Sequence, residues 1–456
     1  MIWWLYNLLF PVAFLFLLPK YLVRMARRGG YARDFAQRFG RYSGEAAERL
    51  RANAESGAPV VWIQAVSVGE LAVARSFMAA LRERRPDVRF ALTTNTSTGY
   101  ALARKAVQAP DIALYFPVDV PPVIRRVLRQ IRPALVVLVE NEMWPNLIRH
   151  AHRRGTPVMM VNGRISEHSH RGYRKIRFVT RQVLPMVSRF CVQSEGDAAR
   201  LLDIGARPEA MEVSGSAKYD IEKAAPAAAE KAARVLAAVR PAAGRLVLVA
   251  GSTWDGEEAA LLDWAKGARA RFPGLLLVLV PRHAERREAV LELLRASGLP
   301  YVQRSKMVDL PMPGKNGENL PNLGKNGGEA AVLLVDTTGE LRGFYANADA
   351  VFVGKSLTQR GGQNPIEPAV EGKPVVVGPH MENFPVIIDD FRKAGAIVQV
   401  DGAAELGAAL DRLLGDAAER ARIGASAAAL VARQAGATGR MADRAAELLA
   451  AGKGTP

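Results

Sequence analysis

The sequence predicts an α/β protein built from two successive doubly wound domains that face a cleft. Three observations predict this fold. The 456 residues are enough for two or three domains with sizeable cores. Short apolar runs alternate with segments of helical periodicity, which is typical of a parallel sheet covered on both faces. This alternation stops in a segment rich in Ala and Pro, residues 217–244, and then restarts.

The predicted elements fall into two series, one on each side of this segment. The first series has strands at 60–66, 89–94, 135–139, 157–161, 189–193 and 211–213, and helices at 70–84, 98–106 and 144–153. The second has strands at 246–250, 275–280, 331–335, 350–353, 374–377 and 396–400, with helices between them. We expect an N-terminal anchor at 1–24, a first domain at 25–225, a linker at 226–244, and a second domain with C-terminal helices at 245–456. Residues 310–328 contain GKNG twice and are predicted to be a surface insertion.

The N-terminal segment is apolar and precedes a cluster of positive charge. Residues 1–19 contain no charged side chain. A helix of this length spans about 28 Å, close to the hydrocarbon core of a bilayer. The residues that follow include Lys20, Arg24, Arg27 and Arg28. Basic residues after the apolar run argue against a cleaved signal peptide and for a cytoplasmic location of the rest of the chain. Pro11 weakens a regular span, so a segment lying in the membrane interface is the alternative.

The chain is strongly basic, with a formal net charge of +17. This excess favours an anionic partner such as a membrane surface or a phosphorylated substrate. Residues 121–185 contain thirteen basic and three acidic side chains, which form either an anion-binding surface or a solvated basic face. Nucleic acid is not expected, because no nucleic-acid motif accompanies the charge. The single cysteine, Cys191, excludes an internal disulfide.

Two acidic motifs follow predicted strands in the first half. Ser67-Val68-Gly69-Glu70 places Glu70 in the first turn of a predicted helix. A helix N-terminus stabilises a carboxylate there, so Glu70 is either a proton acceptor for an alcohol or a helix cap. Glu140 and Glu142 follow the strand at 135–139. They are candidate active-site carboxylates, with a helix cap or a partner for arginine as the alternative.

Two motifs in the second half suit an anionic ligand. Arg282 and His283 come directly after the strand at 275–280. Arg282 can hold phosphate through two N–H groups, and His283 can donate to phosphate or cap the turn; a solvated basic loop is the alternative. Further along, Gly361-Gly362 precedes a predicted helix that carries Asn364 and Glu367. Such a glycine pair lets backbone N–H groups approach an anion.

The histidines and carboxylates lack metal-ligand spacing. The close pairs His150/His152 and His168/His170 have no carboxylate at ligand spacing, and no D-x-D lies near the predicted nucleotide site. We expect a reaction that needs neither a metal ion nor another cofactor.

A series of strings covers nearly the whole chain in order. They are SVGE (67–70), PVDVP (117–121), ENEMWPN (140–146), NGRIS (162–166), QSEGDAARL (193–201), GSAKYD (215–220), AGSTWDGEE (250–258), PRHAER (281–286), SLTQRGGQNPIEP (356–368) and VGPHMENF (377–384). Together they resemble the bacterial family that transfers 3-deoxy-D-manno-octulosonic acid (Kdo) to lipid A. The resemblance implies a GT-B fold, in which a Rossmann-like acceptor domain faces a Rossmann-like donor domain. It also implies CMP-Kdo as donor, the lipid A precursor (lipid IVA) as acceptor, and the cytoplasmic face of the inner membrane as location.

The resemblance also implies roles for particular residues. Glu70 is the implied general base of a single inverting displacement, and Glu142, or else Glu140, supports the active site. The residues implied to bind CMP-Kdo are Ser252, Arg282, His283, Asn364 and Glu367, with backbone donors from Gly361 and Gly362. Lys218 is a further candidate for contact with an anionic group.

The chain departs from the family pattern at Gln363, where the family usually has His. Gln363 donates a neutral hydrogen bond but carries no charge, so a phosphate site that depends on charge is weaker or different here. Two alternatives stay open at this point. One is a GT-B transferase that uses another nucleotide sugar on a lipid acceptor. The other is a lipopolysaccharide-binding protein without catalytic activity.

Overall fold

The structure, a computed structural model, describes Trp3 and residues 6–8, 34–239, 244–307 and 330–451. The chain divides into two compact units. Unit 1 comprises Met1–Asp220 and Ala435–Pro456, and unit 2 comprises Ile221–Gln434. Within the described residues, each unit contains one sheet of seven strands, and every strand pair is parallel. The prediction of two parallel-sheet α/β domains is therefore confirmed.

Unit 1 alternates strands and helices from residue 60 onward. Its strands are β1 (Val60–Gln64), β2 (Arg89–Thr94), β3 (Ile112–Tyr115), β4 (Pro133–Val139), β5 (Val158–Gly163), β6 (Arg189–Val192) and β7 (Met211–Val213). Between residues 44 and 203 its α-helices are α1 (Gly44–Glu55), α2 (Val68–Arg84), α3 (Ser97–Ala106), α4 (Pro121–Ile131), α5 (Pro145–His152), α6 (Glu167–Lys175), α7 (Arg177–Val183) and α8 (Glu195–Asp203). The strand order is β3-β2-β1-β4-β5-β6-β7.

Unit 2 repeats this pattern. Its strands are β8 (Leu246–Thr253), β9 (Leu275–Pro281), β10 (Tyr301–Gln303), β11 (Val332–Leu334), β12 (Ala350–Val353), β13 (Val375–Val377) and β14 (Val398–Gln399). Its described α-helices are α9 (Pro226–Val239), α10 (Glu257–Arg271), α11 (Arg287–Ser297), α12 (Leu341–Ala346), α13 (Ile366–Val370), α14 (Pro385–Lys393), α15 (Ala403–Gly415) and α16 (Ala417–Gln434). The strand order is β10-β11-β9-β8-β12-β13-β14.

The strand orders fix where a ligand can bind. In unit 1 the chain winds from β1 towards β3 on one side, and β4 continues on the other. In unit 2 the same reversal occurs between β8 and β12. Ligands of doubly wound sheets bind beyond the carboxyl ends of the strands at such reversals. The residues after β1, β4, β8 and β12 are therefore the candidates for function.

Apolar periodicity explains how the helices cover the sheet. In α4, the buried residues are Val123, Ile124, Val127, Leu128 and Ile131. This spacing puts them on one helical face, and Pro121 suits the first turn, where an N–H has no partner within the helix. Helix α4 therefore packs its apolar face inward and leaves its arginines on the outside.

The last helix, α17 (Ala437–Ala451), belongs to unit 1. It buries Met441, Ala442 and Ala445 in the core beside α2. The carboxylate of Asp220 accepts hydrogen bonds from the N–H groups of Gly436 and Thr438, both at 2.6 Å. The sequence predicted that the second domain extends to residue 456, whereas in the structure residues 435–456 belong to unit 1. The reason is that the apolar face of α17 completes a core formed by the first half of the chain.

The predicted linker also differs in form. Much of 226–244 is helix α9, which buries Val235, Leu236 and Val239. It belongs to unit 2 and packs against α12. Alanine favours helix, so a segment interpreted as a break in the αβ alternation became a packed element instead.

The predicted anchor and insertion lie largely or wholly outside the described residues. Of residues 1–24, the structure describes Trp3 and residues 6–8, and 310–328 falls within the undescribed segment 308–329. Among the described helices, none is both long and apolar enough to span a membrane. Within unit 1, the hydroxyl of Tyr6 donates a hydrogen bond to the carboxylate of Asp119 (3.0 Å).

Candidate active site

Glu70 lies just beyond the carboxyl end of β1, in the first turn of α2. Ser67 caps this helix, because its Oγ accepts the N–H of Glu70 at 3.1 Å. The Oε2 atom of Glu70 in turn accepts the N–H of Val66 at 2.7 Å. Glu70 therefore takes part in capping the start of α2, as one of the two interpretations predicted. The same contacts hold a half-buried carboxylate in one position, which a general base also requires.

Glu142 lies in the loop after β4, within electrostatic range of Glu70. Its Oε2 accepts the indole N–H of Trp144 at 2.6 Å. Burial raises the pKa of Glu142 to about 7, and the negative charges of Glu70 and Glu140 add to this rise. Near neutral pH, Glu142 is therefore shared between its protonated and ionised forms.

Glu140 begins the same loop in a left-handed backbone conformation, with φ of 58°. Its Oε1 accepts a hydrogen bond from Nδ2 of Asn162 at 3.3 Å. Burial also raises its pKa, while the positive charges of Lys218 and Arg164 oppose the rise. The structure therefore gathers three carboxylates and two cations at the carboxyl edge of the unit 1 sheet.

Asn162, at the end of β5, contacts residues that follow β4 and β7. It is the next-to-last residue of β5, with φ of 52°, and its side chain donates to Glu140. Its Oδ1 accepts the N–H of Ala217 at 3.0 Å, in the turn that carries Lys218. Burial lowers the pKa of Lys218, whereas the charge of Glu140 raises it. Hydrogen bonds of the Asn162 side chain therefore hold Glu140 and the turn that carries Lys218.

In unit 2, Glu257 connects the loops after β8 and β12. It is fully buried, at 0 % exposure. Its Oε1 accepts the N–H groups of Ser356 and Leu357, both at 2.9 Å, and its Oε2 accepts those of Lys355 at 2.8 Å and Trp254 at 2.9 Å. One carboxylate therefore fixes both loops at the strand reversal.

These loops present a cation, an indole and an imidazole together. Lys355 Nζ lies 4.5 Å from the ring centroid of Trp254. The rings of Trp254 and His283 meet edge to face, with centroids 5.1 Å apart. Within the described residues, Trp254 Nε1 is buried without an acceptor. Buried N–H groups are nearly always paired, so this one indicates a place for a ligand acceptor.

The predicted donor-binding residues Arg282, Asn364 and Glu367 lie close together. Asn364 Nδ2 is 3.4 Å from Glu367 Oε1. Burial raises the pKa of Glu367, and the positive charges of Arg342 and Arg282 act in the opposite direction. Ser252, at the end of β8, has φ of 55° and is 8 % exposed.

The two glycines occupy a turn that needs glycine, but their N–H groups already have partners. Gly361 and Gly362 have φ of 120° and 70°. The N–H of Gly361 donates to Glu382 Oε2 at 2.7 Å, and that of Gly362 donates to the carbonyl of Lys355 at 2.8 Å. The expected backbone donation to phosphate is not available in this conformation, because Glu382, after β13, and Lys355, after β12, accept these two N–H groups. Gln363 also donates its N–H inward, to Gly354 at 3.1 Å.

Comparison with known proteins gives a family. Residues 33–221 match the family described as 3-deoxy-D-manno-octulosonic-acid transferase (kdotransferase). A 3-deoxy-D-manno-octulosonic acid transferase of Bordetella pertussis is 36 % identical over 433 residues, covering 92 % of this chain and 93 % of that protein. The chain belongs to the Kdo transferase family. A relative of the same description from Haemophilus influenzae is 30 % identical and covers 91 % of each chain.

Solved structures agree at the level of fold. A glycosyltransferase from Rickettsia africae ESF-5 has a TM-score of 0.53 at 10 % identity, covering 88 % of this chain and 100 % of that one. At this identity the likeness shows the fold alone. Two parallel-sheet α/β domains with a glycosyltransferase neighbour agree with the GT-B prediction.

Three residues of this Kdo transferase family member were given no role from the sequence. Glu257 and Trp254 lie in AGSTWDGEE, and Lys355 lies in Gly354-Lys355-Ser356. An acidic residue at the start of a helix after a strand was a usable signal for Glu257. The position of Lys355 beside Trp254 depends on two loops about 100 residues apart in sequence, and no local pattern predicts it.

Proposed function

We propose that the chain transfers Kdo from CMP-Kdo to the lipid A precursor, lipid IVA, in lipopolysaccharide biosynthesis. Relatives that span more than 90 % of the chain are named 3-deoxy-D-manno-octulosonic acid transferases, which supports the transferred sugar. The observation that carries the proposal is the group at the β1/β4 reversal, where Glu70, Glu140 and Glu142 meet Lys218 and Arg164. Glycosyl transfer requires a fixed base, and two anionic substrates require compensating positive charge.

Glu70 is the proposed general base of one inverting displacement. It removes the proton of the acceptor hydroxyl, and that oxygen forms a bond to the anomeric carbon of Kdo. The bond from this carbon to the phosphate oxygen breaks, and CMP leaves with the electron pair. Glu142, partly protonated at neutral pH, adds less negative charge beside the substrates than an ordinary carboxylate would. Lys218 and Arg164 offset the rest.

Arg282, Ser252, His283, Asn364 and Glu367 are the proposed donor-binding residues of unit 2. Glu367 suits the ribose hydroxyls, and Arg282 suits the phosphate. Because the N–H groups of Gly361 and Gly362 donate elsewhere, we add Lys355 as the second cation for the departing phosphate. These two cations meet the charge of the leaving group, and we therefore propose a reaction without a metal ion.

The proposed location is the cytoplasmic face of the inner membrane. The support comes from the uncharged residues 1–19 and the basic residues directly after them. An anchor of this kind keeps the active site near a lipid acceptor.

The test is an assay of the purified full chain with lipid A precursor and CMP-Kdo, read by product mass, with UDP- and GDP-sugars as competing donors and with EDTA in parallel. We expect Kdo addition from CMP-Kdo alone, unaffected by EDTA. Turnover with a UDP- or GDP-sugar instead would favour another glycosyltransferase. If the protein binds the acceptor but neither transfers a sugar nor binds CMP, a non-catalytic protein is favoured.

A further inference from the structure

A groove of about 400 Å³ on unit 1 lies between α4 and α5 and is lined by basic side chains. The proposed reaction uses none of them. The titratable residues of the groove are Arg125, Arg126, Arg129, His150, Arg153 and Arg154. Five guanidinium groups therefore lie along one concave surface.

The two segments that line the groove carry no carboxylate of their own. Residues 120–139 and 143–166 contain neither Asp nor Glu. In the described part of the chain, none of the five arginines forms an ion pair. Asp119, just before α4, is 0 % exposed and accepts the N–H groups of Asn146 and Leu147. Its carboxylate therefore caps α5 from the interior, and the groove keeps an unbalanced positive field that an anion would relieve.

The groove is partly held in shape by the backbone. Arg125 Nε donates to the carbonyl of Pro121, and Arg126 Nη1 donates to that of Phe39, both at 3.2 Å. Burial lowers the pKa of His150, and the charges of Arg125, Arg149 and Arg153 lower it further. His150 is thus kept neutral beside the guanidinium groups, as expected where like charges are crowded.

Helix α5 links the groove to the N-terminal segment. The guanidinium of Arg149 lies 4.2 Å from the ring centroid of Trp3. Asn146 Nδ2 donates to Asn7 Oδ1 at 2.8 Å. The helix that contacts the described part of this segment also carries His150, and Arg153 and Arg154 directly follow it.

We propose that the groove between α4 and α5 binds the phosphate groups of anionic membrane lipids. The proposal rests on the proposed attachment of the N-terminal segment to a membrane, because that contact would bring the groove to the membrane surface. Planar guanidinium groups match the oxygens of a phosphodiester, and an array of them can hold several headgroups at once. Attraction of this kind weakens as salt rises.

The test compares two triple variants of the full chain by vesicle co-sedimentation. The groove variant carries Arg125→Gln, Arg129→Gln and Arg153→Gln. The control carries Arg51→Gln, Arg295→Gln and Arg433→Gln, three exposed arginines outside the groove, so the change in net charge is the same. The vesicles are phosphatidylcholine alone, or equimolar phosphatidylcholine and phosphatidylglycerol. Inorganic pyrophosphate serves as the soluble competitor. Kdo transfer to detergent-dispersed acceptor is measured on the same preparations.

We expect the groove variant to partition at least about tenfold more weakly onto phosphatidylglycerol vesicles, with the control and the phosphatidylcholine binding unchanged. Transfer to dispersed acceptor should stay at the wild-type rate in both variants. Equal binding by the groove variant and wild type, or an equal loss in the control, would overturn the proposal. The groove variant could instead lose tight pyrophosphate binding and keep its binding to vesicles. That result would assign the groove to a soluble phosphate and overturn the proposal that lipids bind there. If the wild-type protein transfers no Kdo, the proposed function is refuted. The vesicle-binding result would then still decide the proposal about the groove.

Discussion

Glu142 is partly buried near two other carboxylates, and this environment determines how it binds protons. Its pKa of about 7 in the folded chain lies above the ordinary value of 4.5. Between these two pH values the folded state binds more protons than the unfolded state, so its stability falls as pH rises through this window. A carboxylate that weakens the fold at neutral pH is typical of a functional position.

Glu142→Gln should therefore stabilise the protein at pH 8 by about 1–2 kcal/mol and have little effect at pH 4.5. The gain is limited because the side chain is partly solvated. Thermal unfolding at both pH values measures it, with Glu55→Gln, at an exposed position, as the control. An equal shift at both pH values would show that the raised pKa is not the cause.

Lys355 is the cation that we assign to the departing phosphate. Lys355→Met keeps most of the side-chain volume over Trp254 and removes the charge. We expect CMP affinity to fall about tenfold, as for the loss of one charge-assisted hydrogen bond. Calorimetric titration with CMP measures this. Arg360→Met is the control, since Arg360 is 86 % exposed, and an equal loss in both variants would contradict a specific role.

At the scale of elements, function depends on loops that one buried side chain holds together. Glu257 accepts four backbone N–H groups from the loops after β8 and β12. Glu257→Gln replaces one acceptor oxygen with a donor, which leaves two of these N–H groups facing an NH₂ group. We expect a loss of about 2–4 kcal/mol in the stability of unit 2 and weaker CMP binding. Thermal unfolding and CMP titration measure both effects, with Glu288→Gln as the control. If the CMP affinity of Glu257→Gln is unchanged, Glu257 does not support the donor site.

The elements also show what sequence patterns can predict. Strands β4 and β8 contain long runs of Val, Leu and Ala, and this apolar character was sufficient to predict most of each strand. Strands β3 and β10, of four and three residues at sheet edges, were not predicted, whereas the three-residue edge strand β7 was, so such short patterns are an uneven signal. The roles of Gly361 and Gly362 were not predictable either, because the partner of Gly361 is Glu382, 21 residues away.

At the scale of the whole molecule, the last helix returns to unit 1 and reaches its candidate site. Met441 is 0 % exposed, and its sulfur accepts the N–H of Asn162 at 3.0 Å. Asn162 in turn contacts Glu140. The apolar pattern of α17 predicted a helix but carried no information about which domain it covers. Contacts between distant parts of a chain are decided by shape and volume, which periodicity does not encode.

Met441→Ala should destabilise unit 1 by about 2–4 kcal/mol, because it leaves a cavity in a packed core. Met441→Leu should cost less, since it nearly conserves volume. Thermal unfolding of the full chain measures both changes. If the Ala variant unfolds at the wild-type temperature, α17 does not contribute to the core of unit 1 in solution.

The central claim is that Glu70 removes the acceptor proton while other residues bind the donor. The most direct measurement is Kdo transfer and CMP binding on one preparation of Glu70→Gln, beside Ser67→Ala, which removes the helix cap and keeps the carboxylate. We predict at least about a hundredfold loss of transfer in Glu70→Gln with wild-type CMP affinity, and near-normal transfer in Ser67→Ala. Transfer by Glu70→Gln at the wild-type rate would contradict the account.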